Sequence, residues 1–163
     1  MIDLPDAESA LNEFWDLLRE TGEELASVRL GPEAWTLKEI VGHLVDSASN
    51  NHQRFIRLQL ENTLAFPGYE AEPWVAAGRY GDLDWPSLIT LWRSYNKLLL
   101  HLAATVRPES LGNVWKTDTG DLTLEFLMAD YYSHLRLHIS HYQTRKAEVE
   151  AALARETASR LPH

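Results

Sequence analysis

Four stretches of this chain carry apolar residues at three- and four-residue steps, a spacing that calls for amphipathic helices packed on one another. The first runs from Asp6 to about Val28, with Leu11, Phe14, Trp15, Leu18 and Leu25 on one face. Leu30-Gly31-Pro32 breaks it, and Thr36-Leu37-Lys38-Glu39 reads as a capping box, in which threonine and glutamate satisfy free backbone N–H groups. The second stretch starts there and reaches about Asn62 through Leu37, Val41, Leu44, Ala48, Phe55 and Leu58. The third begins near Trp85-Pro86, where proline suits a first turn, continues through Leu88, Leu91, Trp92, Tyr95, Leu98, Leu99 and Leu102, and is closed by Pro108. After a polar stretch around Lys116 to Gly120, the fourth opens near Asp121 or Thr123 and extends to about Ala154.

Four long helices predict an all-α four-helix bundle, one domain over residues 1–163. There is no convincing strand pattern and no repeat of about 20 to 50 residues. Between helices two and three, residues 63–84 hold Pro67, Gly68, Pro73, Gly78 and Gly81 with little periodicity, and read as a long loop. Phe66, Tyr69, Trp74 and Tyr80 give that loop material to pack as a cover over one end of the bundle, or to fill a gap or subunit contact.

A net charge of −9 without a basic stripe disfavours a nucleic-acid backbone as partner, because such contacts need clustered Lys and Arg. No apolar run approaches the roughly 18 to 20 residues of a membrane span. Met1 to Asp6 lacks the basic start and apolar core of a secretory signal, so a cytoplasmic protein is expected. With 0 cysteines, any tight metal site must use histidine and carboxylate.

The fourth stretch contains Asp130-Tyr131-Tyr132-Ser133-His134-Leu135-Arg136-Leu137-His138-Ile139-Ser140-His141. His134 and His138 are one turn apart, about 6 Å along a helix, and both can reach one ion. Leu124, Leu127 and Tyr131 precede them on the same face, so the rings point inward. On the second stretch Ile40 is followed by His43, Ser47, Asn50 and Arg54, a polar column beside the apolar stripe. Burying it is unfavourable unless something pairs with it, and a divalent cation with water would satisfy several members at once.

His138 and His141, three apart, could also face one ion. His134 with His138 is preferred, because the four-residue pair is the commoner helical arrangement and Asp130 lies one further turn upstream. His141 is then left to support a ligand, meet the substrate or pack. His52, His101 and His163 fall outside the column and read as surface or packing residues. Asp46, one turn from His43, and Asp130, one turn from His134, could orient an imidazole or act as a base, and Asn50 and Arg54 could touch a substrate. Leu135 stands where a zincin would carry glutamate, so the HExxH mechanism does not apply. There is no G-x-S-x-G elbow, phosphate loop or dinucleotide fingerprint.

The segment Trp35-Thr36-Leu37-Lys38-Glu39-Ile40-Val41-Gly42-His43-Leu44-Val45-Asp46-Ser47, followed by Asn50-Asn51 and Arg54-Phe55, resembles the DinB-like, or YfiT-like, metalloenzyme superfamily. Asp130-Tyr131, His134-Leu135 and His138 are similar to its C-terminal motif, in which two histidines one turn apart join the one on helix two. The resemblance spans most of residues 11–145 and implies a dimeric bundle with His43, His134 and His138 around one divalent ion, zinc first, with nickel or manganese as alternatives. The sequence departs from the family where Leu137 and Ile139 flank His138 and His141 takes a glutamine position.

Three neutral ligands leave a coordination position open, as in catalytic sites. The expected activity is that of a metal-dependent enzyme on a small molecule. It is either a hydrolase activating water or a transferase activating a low-molecular-weight thiol. The alternatives are a noncatalytic dimeric bundle whose ion is structural or sensory, and a bundle with hydrogen-bonded core histidines and no metal.

Overall fold

The fold, seen in a computed structural model that describes residues 2–160, is a bundle of four long helices with a small sheet at one side. Helix α1 (Leu4–Glu20) is capped by Asp3, whose side chain accepts from the Asp6 backbone N–H at 3.0 Å, and buries Ala7, Ala10, Leu11, Phe14 and Leu18. It stops about eight residues earlier than the periodicity suggests, and only a short turn, α2 (Glu23–Ala26), follows. Tertiary bonds cause the break. The Thr21 carbonyl accepts from Trp85 Nε1 at 2.9 Å, and its hydroxyl meets the Tyr142 hydroxyl at 2.8 Å, so helical continuation loses an acceptor just before Gly22.

Helix α3 (Leu37–Leu60) starts with both bonds of the expected capping box, Glu39 N–H to Thr36 Oγ1 at 3.1 Å and Thr36 N–H to Glu39 Oε2 at 2.9 Å. Every residue from Ile40 to Ala48 is buried, so this helix is covered on all sides. Helix α5 (Trp85–Ala104) is capped by Asp84, and α6 (Leu124–Ser159) by Thr123. Phe14 anchors the core, with Trp92 and Tyr142 edge-on at 4.9 and 5.0 Å between ring centres.

The segment 63–84 is not a bare loop. It contains strand β1 (Thr63–Ala65), helix α4 (Ala71–Gly78) and a 3-10 turn at Tyr80–Asp82. The residues read as breakers are the punctuation of α4: Pro73 lies in its first turn, Gly78 is its last residue, and Arg79 beyond it takes the left-handed conformation at φ 49°. Strands are present as well. β1 pairs in parallel with β2 (Val114–Thr117), which pairs antiparallel with β3 (Gly120–Thr123), so the polar stretch around Lys116 to Gly120 is a hairpin turning through Gly120 at φ 136°. Among the described residues no helix is long and apolar enough to cross a membrane. His163 lies outside the described residues.

Candidate metal centre

His43 pairs with His138 and Phe55 with Tyr131, so α3 and α6 run antiparallel with their histidine-bearing faces together. His43 Nε2 lies 3.3 Å from His138 Nε2, and His138 Nε2 lies 3.1 Å from His134 Nε2. The third side is wider, with the His43 and His134 ring centres 6.4 Å apart. As the rings stand, no three His, Asp or Glu side chains among the described residues form a finished metal cage. The geometry is a two-sided cluster hinged on His138, and the exposed His134 is the ring most free to turn.

Burial lowers the His43 pKa to about 4, helped by the neighbouring His134. Burial, followed by the charges of His134, His43 and His141, lowers that of His138 to about 3. Both are therefore neutral near pH 7 and keep a lone pair for bonding. A ring nitrogen has one lone pair or one N–H, so His138 Nε2 can satisfy only one of its two neighbours by a hydrogen bond. A cation facing three lone pairs satisfies all of them. The donor set thus fits a divalent ion of the zinc type.

The polar column of His43, Ser47, Asn50 and Arg54 is buried, each residue 5–6% exposed, and the neighbouring Asp46 is buried to the same degree. His43 Nδ1, Asp46 Oδ2 and Arg54 Nε have no hydrogen-bond partner among the described residues. Such atoms cost about 1–3 kcal/mol each when nothing meets them, and three on one helix face mark it as more than packing.

Asp46 does not turn to His43; its Oδ1 accepts from the Tyr80 hydroxyl, and burial raises its pKa. Asp130 is exposed and lines a cavity with His134, without a bond to it. Asn50 is turned to its own helix, where Nδ2 donates to the Asp46 carbonyl at 2.9 Å. Arg54 lies over the Trp115 ring at 4.0 Å. The exposed His141 ring is 5.8 Å from that of His138. His52 meets the Tyr95 hydroxyl at 3.1 Å, and His101 is exposed, so both stand apart from the site.

The histidines stand between two cavities. One of about 500 Å³ is lined by Trp35, Ile40, Glu72, His138, His141 and Arg145. The other, of about 190 Å³, holds Ser47, Arg54, Tyr69, Trp115, Asp130 and His134. Tyr69 and Tyr80 read from the sequence only as packing aromatics. Tyr80 reaches Asp46 because Gly42 on α3 leaves room: a Cβ there would lie 2.0 Å from the tyrosine ring. Gly42, one residue before His43, is the signal that could have placed an aromatic against this face.

The sequence profile of the DinB superfamily matches residues 7–142. The chain belongs to the DinB superfamily. Among its relatives is a Bacillus cereus (strain AH820) protein that bears the name "Putative metal-dependent hydrolase". It is 26% identical over 147 residues, which cover 86% of this chain and 83% of that protein. A Bacillus anthracis protein with the same designation matches to the same extent. Among solved structures, YfiT from Bacillus subtilis superposes with a TM-score of 0.78 at 19% identity, over 90% of this chain and 85% of that one. It is described as a probable metal-dependent hydrolase with an unusual four-helix bundle topology, and at this identity the likeness establishes the shared fold.

Proposed function

We propose that this DinB protein is a metal-dependent hydrolase of a small molecule, in which His43, His134 and His138 hold one divalent ion, zinc first. The observation that carries the reading is the meeting of Nε2 atoms from two helices at 3.1 and 3.3 Å in a place where burial keeps His43 and His138 neutral. His43, His134 and His138 would hold the ion through their Nε2 atoms once the exposed His134 ring turned toward His43. The adjoining cavities weigh against a noncatalytic ion, because one of them, at about 500 Å³, is of small-ligand size.

A divalent ion supplies a Lewis acid that acidifies water or a small thiol and polarises a carbonyl. The name borne by the Bacillus relatives favours hydrolysis over transfer to a low-molecular-weight thiol. Asp46, one turn from His43, keeps Oδ2 free while the Tyr80 hydroxyl fixes Oδ1, and burial favours its protonated form. It is therefore suited to hold and return a proton. Asp130, exposed beside His134, is placed to exchange protons with solvent.

Elemental analysis of the purified protein tests the site. About one ion per chain is expected, lost in both His43→Ala and His138→Ala, together with hydrolysis of small ester and amide substrates. Wild-type protein without stoichiometric metal, or variants that keep it, would sink the reading.

A further inference from the structure

Arg54 is 6% exposed, yet it is not neutralised in the way buried arginines usually are. Its Nε is buried without a partner among the described residues, and no carboxylate there forms an ion pair with it. Trp115 lies against the guanidinium at 4.0 Å. A ring stacked on a guanidinium occupies its flat face and leaves free the in-plane N–H edge, the edge that bonds anions. Arg54 lines the 190 Å³ cavity, and His134 is among its other lining residues.

We infer that Arg54 is the receptor for a carboxylate carried by the substrate. The assignment to substrate rests on the metal-site reading above, since it is His134 that joins this cavity to the histidine cluster. One guanidinium balances one negative charge, and its planar fork matches the two oxygens of a carboxylate. The exposed Asp130 on the same cavity opposes a doubly charged phosphate. Ser47 and Tyr69 add hydroxyls to the lining.

The substrate class is an amide or ester with a free carboxylate at the end remote from the scissile carbonyl. Its carboxylate end enters the smaller cavity, and its reacting end lies at the histidines.

The test uses the full chain, ¹⁵N-labelled and supplemented with zinc, titrated with propionate and, separately, with the neutral propionamide. The probes are the Arg54 Nε–H signal, identified by its absence from Arg54→Lys, and the backbone signals of Ser47 and Tyr69. Propionate should shift these signals saturably and propionamide should not. Arg54→Gln, checked for intact helicity, should bind propionate about tenfold or more weakly, the scale of a charge-assisted hydrogen-bonded pair. An equal response to the amide, undiminished binding in Arg54→Gln, or no saturable response in wild type would overturn the assignment. Undiminished binding in Arg54→Gln would point to the ion itself as the receptor. Zinc content measured on the same sample separates the two readings. Zinc uptake without a propionate response overturns the carboxylate receptor alone, and a propionate response without zinc uptake overturns the metal site and the substrate assignment with it.

Discussion

Gly42 has no side chain where the Tyr80 ring lies, and the consequence reaches Asp46, whose Oδ1 accepts from that tyrosine. In Gly42→Ala the new Cβ meets the base of the ring rather than its tip, so the ring must move and release Asp46. A net loss of about 1–2 kcal/mol in urea unfolding is expected, overpacking outweighing the helix-propensity gain of alanine. In a Tyr80→Ala background the same change should instead stabilise by about 1 kcal/mol, and a cycle without this reversal would mean that ring and glycine are not coupled. The histidines make a second prediction. His43 and His138 titrate near 6.5 when unfolded but at about 4 and about 3 when folded, so below 6.5 the unfolded chain binds more protons. Metal-free protein should be fully stabilised by these groups above 6.5 and lose that contribution as pH falls toward 4 and then 3. Asp46, raised by burial, acts in the opposite sense, with stability lost as pH rises through the carboxylate range. In Asp46→Asn, where that opposing titration is removed, a urea midpoint at about pH 5 equal to that at about pH 7 would show that the two rings are not held neutral by burial.

At the scale of elements, local signals located the helix starts well and the helix ends less well. The Thr36 capping box depends on a neighbour three residues away and is therefore visible in sequence. Thr36→Ala should cost about 1 kcal/mol and fray the turn that leads to His43, which amide hydrogen exchange over the first turn of α3 would detect. Unchanged protection there would mean that packing alone holds the turn. The end of α1 is settled by Trp85 and Tyr142, far along the chain, so its periodicity overran. Pro73 and Gly78 are ambiguous for a different reason: the same residues that break a long helix also begin and end a short one. β1 has three residues and owes its existence to β2, about fifty positions later, so neither strand carries a legible pattern alone.

For the whole molecule, an ion held by His43 from α3 and His134 and His138 from α6 would tie two helices together across the bundle. Zinc in excess over its dissociation constant should then raise the melting temperature by roughly 5–10 °C in wild type and not in His43→Ala. An equal rise in both would place zinc elsewhere. The arrangement of that centre was partly written in the chain. Helical periodicity is a local property, so the spacing of His134 and His138, the polar column from His43 to Arg54 and the four-helix architecture could all be read from residue order. Tertiary packing decided what periodicity cannot carry. It turned Asp46 to Tyr80 rather than to His43, laid Trp115 against Arg54 and folded residues 63–84 into a strand and a helix against α3. Each of those contacts joins residues too far apart in sequence for any helical or strand period to relate them.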